Sequence, residues 1–259
     1  MIQGLQTALD VSPQFAIAYI LVFLRVGATM ATVPAFGERM MPLRVRLITS
    51  LAFAAIVAPA IAPDLAPRLT NPTTIAAIAG VEVVAGLAIG ISLRLFIIAL
   101  QTAGAIAAQS TSLSQILGGA AVDPQPAIGH VLVVAGLAIA VTAGLHVQIA
   151  SFLIYSYEIL PSGVGISGVD LAQWGTARVA RSFQLAFSLA APFVIASMIY
   201  NIALGAINKA MPQLLVSFVG APAITFGGLA LLFLAAPLML AEWLDVMHIF
   251  MRDPFGGQP

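Results

Sequence analysis

Cysteine is absent from the 259 residues. That removes disulfides, thiolate nucleophiles and cysteine metal sites together. Charge is nearly as scarce: Asp, Glu, Lys and Arg make up 8% of the chain, against about 25% in soluble domains. Such a chain cannot cover a water-facing surface. Ten basic and ten acidic residues cancel, so no basic field exists to draw nucleic acid. His130, His146 and His248 are far apart and lack the HExxH spacing of a zinc helix, so each reads as a packing or membrane-interface residue. The sequence holds no GxSxG and no Walker A pattern. Its match to GxGxxG, Gly163 to Gly168, needs a strand before it, a helix after it and an acid about 20 positions on. After Asp170 the next acid is Glu242, so the match reads as a loop. No enzyme chemistry and no cofactor are expected.

What is present is hydrophobicity. The chain is 61% hydrophobic with a mean hydropathy of +1.05. A hydrocarbon core about 30 Å thick needs roughly 20 apolar residues in a helix. That window gives six candidate runs, 15–33, 46–63, 75–100, 128–157, 183–205 and 218–241. The runs lack two-residue alternation, so they read as helices and not barrel strands. The expected class is all-α, a multi-span integral membrane protein. The first basic residue is Arg25, already inside an apolar run, so the first segment is expected to stay and not to be cleaved as a signal.

Proline marks boundaries. Ser12-Pro13 reads as an N-cap with proline at the first helical position. Pro34, Pro42, Pro59, Pro63, Pro67, Pro124, Pro126, Pro161, Pro212 and Pro254 fall at or near the ends of runs. Pro192, Pro222 and Pro237 are expected to kink the last two. A short amphipathic helix, LAQWGTARVARSF, is expected after Asp170, with Trp174 at the interface and Arg178 and Arg181 on its polar side. Basic residues divide evenly between the two sides, so the positive-inside rule selects no orientation. No internal repeat is visible. One membrane domain, 1–259, is expected, with a polar tail at 246–259.

Polar groups inside the runs raise specific questions. Arg25, Glu82 and Arg94 lie in or beside apolar stretches, where a charge costs at least about 2.5 kcal/mol at mid-helix. Three readings are open: a buried pair such as Arg25 with Glu82, an ion pathway, or snorkelling towards the headgroups. Gly86 and Gly90 form GxxxG, and Gly136, Ala140 and Gly144 repeat at four-residue spacing. Such faces let helix backbones approach closely. Between the third and fourth runs lies AQSTSLSQILGGAAVDPQP, Ala108 to Pro126. It has no Lys or Arg and one charge, Asp123.

Several stretches together resemble the FliR/SctT family, the flagellar biosynthetic protein FliR and its injectisome counterpart. Near the start, Leu24-Arg25, Pro34, Phe36, Pro42 and Arg44-Val45 stand in the family's order. The middle carries TAGAIAAQSTSLS, Asp123-Pro124, His146 and Leu160-Pro161. The strongest block holds Pro192, Asn201, Leu204-Gly205, Asn208-Lys209, Pro212-Gln213 and Gly220. The likeness runs from about residue 20 to 245.

The resemblance implies a subunit of the type III export gate in the bacterial inner membrane, at the flagellar basal body. It implies the partners FliP, FliQ, FlhB and FlhA, unfolded exported proteins as cargo, and a chain resembling a fusion of FliP-like and FliQ-like halves. It also implies a pore loop near 108–126. Within it, Gln109, Ser110, Thr111, Ser112, Leu113, Ser114, Gln115, Ile116, Leu117, Gly118 and Gly119 would plug the conduit. A neutral, hydroxyl-rich loop jointed by Gly118 and Gly119 suits that role. One departure stands out: Ser112 occupies the position of the family's usual Gly before Leu-Ser, and the glutamine is shifted to Gln109. The alternatives are the same role in a virulence injectisome, a scaffold that lines no pore, or a stand-alone solute carrier. A carrier would be expected to carry inverted repeats.

Overall fold

A computed structural model describes residues 13–34, 41–69, 71–111, 127–165, 167–211 and 216–254. Its helices are α1 (Pro13–Thr32), α2 (Leu43–Leu65), α3 (Pro72–Ser110), α4 (Ala127–Thr142), α5 (Leu145–Ile159), α6 (Gly168–Ala210) and α7 (Val216–Arg252). A 3-10 turn, Ala66–Arg68, extends α2. Every described regular element is helical, as lipid requires when no water satisfies the backbone. Among the described residues, five helices are long and apolar enough to cross a membrane. The pair α4 and α5 makes a sixth crossing if taken as one span.

Two boundaries differ from the sequence reading. The run 128–157, read as one span, is broken between α4 and α5 and bent by 74°. The break is at Gly144, whose φ of +82° lies in the left-handed region that favours glycine. The amphipathic segment after Asp170 is no separate helix: it is the beginning of the 43-residue α6. Its cap is Ser167, whose hydroxyl accepts a 3.4 Å bond from the Asp170 amide, and Asp170 lies within the first turn. Pro59 and Pro63 lie within the last turns of α2, near its end as read from the sequence, and Pro192 lies inside α6, also as read. Long apolar helices absorb these prolines because neighbouring groups re-satisfy the freed carbonyls.

The chain forms two compact units. One comprises the chain up to Arg94, Gly144–Thr176 and the segment from Met251; the other comprises Leu95–Ala143 and Ala177–Phe250. In the first unit α1 buries Ala18, Leu21, Val22, Arg25, Val26, Thr29 and Met30, a spacing of three and four that defines one helical face. Ala18 and Leu21 join Ala62, Leu65, Ala66, Leu69 and Ile78 in a continuous apolar cluster. In the second unit, α6 buries Leu185, Ala186, Leu189, Ala190 and Phe193. Trp243 of α7 is 1% exposed, and its indole N–H donates to the Phe96 carbonyl at 2.8 Å.

Candidate functional site

The first unit has a polar centre. Arg25 and Glu82 are both fully buried, and Arg25 Nε donates to Glu82 Oε2 at 2.7 Å. Among the three sequence readings the structure has the buried pair. Arg25 Nη2 donates to Glu82 Oε1 at 3.2 Å and to the Leu160 carbonyl at 2.9 Å. Nη1 donates to the carbonyl and hydroxyl oxygens of Ser156, each at 3.2 Å. A guanidinium has five N–H donors, and all five are used.

The carboxylate is equally well satisfied. Glu82 Oε2 accepts from the Tyr157 hydroxyl at 3.1 Å, and Oε1 accepts from Ser162 at 2.7 Å. The Arg25 guanidinium also lies 3.7 Å from the centroid of the Tyr157 ring, within the range of a cation–π contact. Desolvating two charges carries a penalty of several kcal/mol per ion, which is recovered only when geometry and the remaining hydrogen bonds are good. Here both conditions hold. The network ties α1 and α3 to the last turn of α5 and the turn that follows it.

Two glycines continue the same seam. A Cβ on Gly86 would collide with the Arg25 carbonyl oxygen and come within 2.8 Å of the Ala28 side chain. A Cβ on Gly90 would lie 2.6 Å from the Thr29 carbonyl and collide with the Thr32 hydroxyl. Thr29 bridges the crossing, its hydroxyl 2.9 Å from the Arg25 carbonyl and 3.1 Å from that of Gly86. Contacts advance together along both helices (25 with 82, 29 with 86, 32 with 90), so α1 and α3 run parallel here. A charged pair and two side-chain-free positions fix one register.

The second small-residue stripe is divided. Gly136 and Ala140 are buried on α4, and a Cβ on Gly136 would meet the tip of Leu100 at 2.7 Å. Gly144 does not extend that face: it caps α5, and a Cβ there would meet nothing within 4 Å. The sequence reading missed a tighter crossing, where a Cβ on Gly104 would collide with the backbone of Gly129. No spaced motif marks that pair, because its members lie on different helices.

Of the other expected site residues, Gln109 and Ser110 close α3, and Thr111 follows it, buried. Ser110 and Thr111 bond back to the carbonyls of Ile106 and Ala107 at 2.8 and 2.9 Å. Ser112 to Gly119, with Asp123 and Pro124, lie outside the described residues, as do Pro212 and Gln213. Pro34 follows α1, Pro42 caps α2, and Arg44 is exposed in its first turn. Asn201, Gly205 and Lys209 are on α6, with Asn201 and Lys209 exposed. Gly220 is within α7. No three His, Asp or Glu side chains among the described residues group as metal ligands.

Parallel apolar helices pinned by a fully satisfied ion pair define a polytopic α-helical membrane protein. Its sequence matches the pattern of bacterial export proteins, family 1, over residues 16–249, and the chain belongs to that family. It is 34% identical to the flagellar biosynthetic protein FliR of Caulobacter vibrioides over 230 residues, 87% of this chain and 90% of that one. The FliR proteins of Bacillus subtilis and Escherichia coli are each 26% identical, over 253 and 230 residues. Those alignments cover 92% and 85% of this chain, and 90% and 85% of the respective relatives.

Proposed function

We propose that this chain is an export-gate subunit of the flagellar type III secretion apparatus in the bacterial inner membrane. The observation that carries the proposal is the 34% identity to a FliR protein across 87% of the chain. The chain works with other components of that apparatus, and the partners we assign are FliP, FliQ, FlhB and FlhA. It performs no chemistry of its own; unfolded flagellar proteins are its cargo. The chain combines a FliP-like with a FliQ-like half within one membrane domain.

Helix lengths support an assembly that does not simply cross the bilayer. α3, α6 and α7 contain 39, 43 and 37 residues, roughly 55–65 Å each at 1.5 Å per residue if straight. A hydrocarbon core is about 30 Å thick. About half of each helix must therefore run outside lipid or against other protein.

The segment from Gln109 to Gly119 is assigned as the plug of the conduit, with Gln109 to Thr111 as its root at the end of α3. Its neutrality avoids holding ions or charged cargo, and Gly118 and Gly119 give it joints. Deleting Ser110 to Leu117 should leave the export complex at full size on native electrophoresis and raise small-solute influx into cells that overproduce the gate subunits. An intact complex with unchanged influx would overturn the plug. Failure of affinity-purified chain to bring down FliP or FliQ from solubilised membranes would overturn the subunit assignment itself.

A further inference from the structure

A cavity of about 150 Å³ opens beside the polar centre, lined by Ile61, Asp64, Leu65, Arg68, Tyr157, Pro161 and Ser162. That is room for about five waters at roughly 30 Å³ each, or for one small headgroup. Its wall has an unusual polarity. The hydroxyls of Tyr157 and Ser162 both give their protons to Glu82, and an ionised carboxylate only accepts. Towards the cavity these two residues can therefore offer only oxygen lone pairs. Asp64 adds a carboxylate, so among the lining side chains Arg68 alone has protons to offer a ligand.

Arg68 brings the opposite charge to the mouth. Asp64 and Arg68 are both exposed and form no ion pair or side-chain hydrogen bond among the described residues. Arg68 is the last residue of the span Leu43–Arg68, which puts it at the end of an apolar helix, the level of lipid headgroups. Ile61, Leu65 and Pro161 supply apolar surface next to the charges.

We propose that this cavity binds the zwitterionic headgroup of a phospholipid with a primary ammonium group. The ammonium N–H donors go to Asp64 and the hydroxyl oxygens of Tyr157 and Ser162, and the phosphate goes to Arg68. Each group meets its complement, and the lipid tails stay in the bilayer beside α2. A trimethylammonium headgroup has the same charge but no N–H donor, and a glycerol headgroup has no cation. Both should bind poorly. The Arg25–Glu82 pair acts in this site through orientation, because it holds the two hydroxyl protons away from the ligand.

The test uses the export complex, purified, delipidated and offered equal amounts of phosphatidylethanolamine, phosphatidylcholine and phosphatidylglycerol in mixed micelles. Bound lipid is counted by native mass spectrometry. The unsubstituted complex should retain phosphatidylethanolamine about tenfold over the other two, and Asp64→Asn and Arg68→Gln should each remove most of that preference. Both side chains are exposed on the chain, so folded chain should accumulate normally, and lipid is counted per assembled complex. Retention unaffected by either variant, or equal retention of the three lipids, overturns the proposal. A second arm offers soluble glycerophosphoethanolamine. Its displacing the bound lipid supports headgroup recognition. If it binds in an Asp64-dependent way while no phosphatidylethanolamine is retained, the ligand is a free compound and the lipid assignment fails.

Discussion

Two helix crossings in this chain solve the same packing problem by different means. Where α3 meets α1, Gly86 and Gly90 face backbone carbonyls and the crossing is locked by Arg25 and Glu82. Where α4 is held by Gly136, the neighbours are the side chains of Leu100, Leu240 and Trp243. The first contact specifies its register by charge and close backbone approach; the Gly136 contact adapts through apolar side chains that can move, even though Gly104 and Gly129 of the same two helices meet backbone to backbone. Burial follows a related contrast. The most apolar windows of α1 and α3 are 39% and 50% buried, whereas those of α6 and α7 are 11% and 17% buried. The early helices bury more of their surface within the chain, and the late ones leave most of theirs to lipid or to other subunits.

The sharpest way to break that contrast is to remove one half of the charged lock. Arg25→Ala leaves Glu82 buried without its cation, and such a loss typically costs about 3–5 kcal/mol. Replacing both, Arg25→Met with Glu82→Leu, removes the charges together and should recover most of that loss. Folded chain recovered from membranes, and its heat-aggregation midpoint in detergent, measure both. If the double variant is as damaged as Arg25→Ala, the loss comes from packing volume or from the Tyr157 and Ser162 hydroxyls left without their acceptor, and not from an orphaned charge.

Glycine substitutions grade the crossings next. Gly86→Ala and Gly104→Ala each drive a methyl group into backbone, which cannot move aside alone, and should cost about 2–3 kcal/mol. Gly136→Ala meets the end of the Leu100 side chain at 2.7 Å. A rotamer change relieves it, so the cost should stay near or below about 1 kcal/mol. Equal losses at all three positions on the same heat-aggregation scale would erase the distinction between rigid and adaptable crossings.

The sequence showed the helices, the two buried charges and the GxxxG seam because each is a local pattern in the chain. Arg25 and Glu82 stood out as charges inside apolar runs. Their partners did not: Ser156, Tyr157 and Ser162 are ordinary residues until α5 brings them to Glu82. Gly104 and Gly129 likewise become a pair only in three dimensions. The split at Gly144 was hidden because apolar residues continue on both sides of it, so a hydropathy window sees one run. The start of α6 was hidden for the reverse reason. Its polar first turns look like a separate surface helix, yet no glycine or proline interrupts the backbone between Trp174 and the span except Gly175.

Gly144 supplies the next, smaller effect. Its φ is +82°, and a Cβ added there would meet nothing within 4 Å, so the backbone alone decides the outcome. Gly144→Ala should cost about 1 kcal/mol, the usual penalty of a left-handed alanine. Gly144→Asn should cost less, because asparagine enters that region more readily. Gly144→Ala matching the unsubstituted chain in heat aggregation would remove the left-handed break as a constraint on α4 and α5.

The smallest effect on the chain itself is expected on its most exposed apolar helix. Ile195, Met198, Ile199 and Ile202 of α6 are 59–64% exposed, and the exposed Asn201 lies among them. An amide facing only hydrocarbon would lack hydrogen-bond partners and cost free energy, so this face suits protein neighbours better than lipid. Met198→Ala with Ile202→Ala removes apolar surface without touching the buried face formed by Leu185, Leu189 and Phe193. Surface substitutions of this kind usually stay within about 0.5 kcal/mol. The chain should therefore accumulate normally in membranes, while full-size export complex on native electrophoresis should fall. Normal assembly with normal accumulation would mean that this face meets lipid, and that the sparse burial of α6 has another cause.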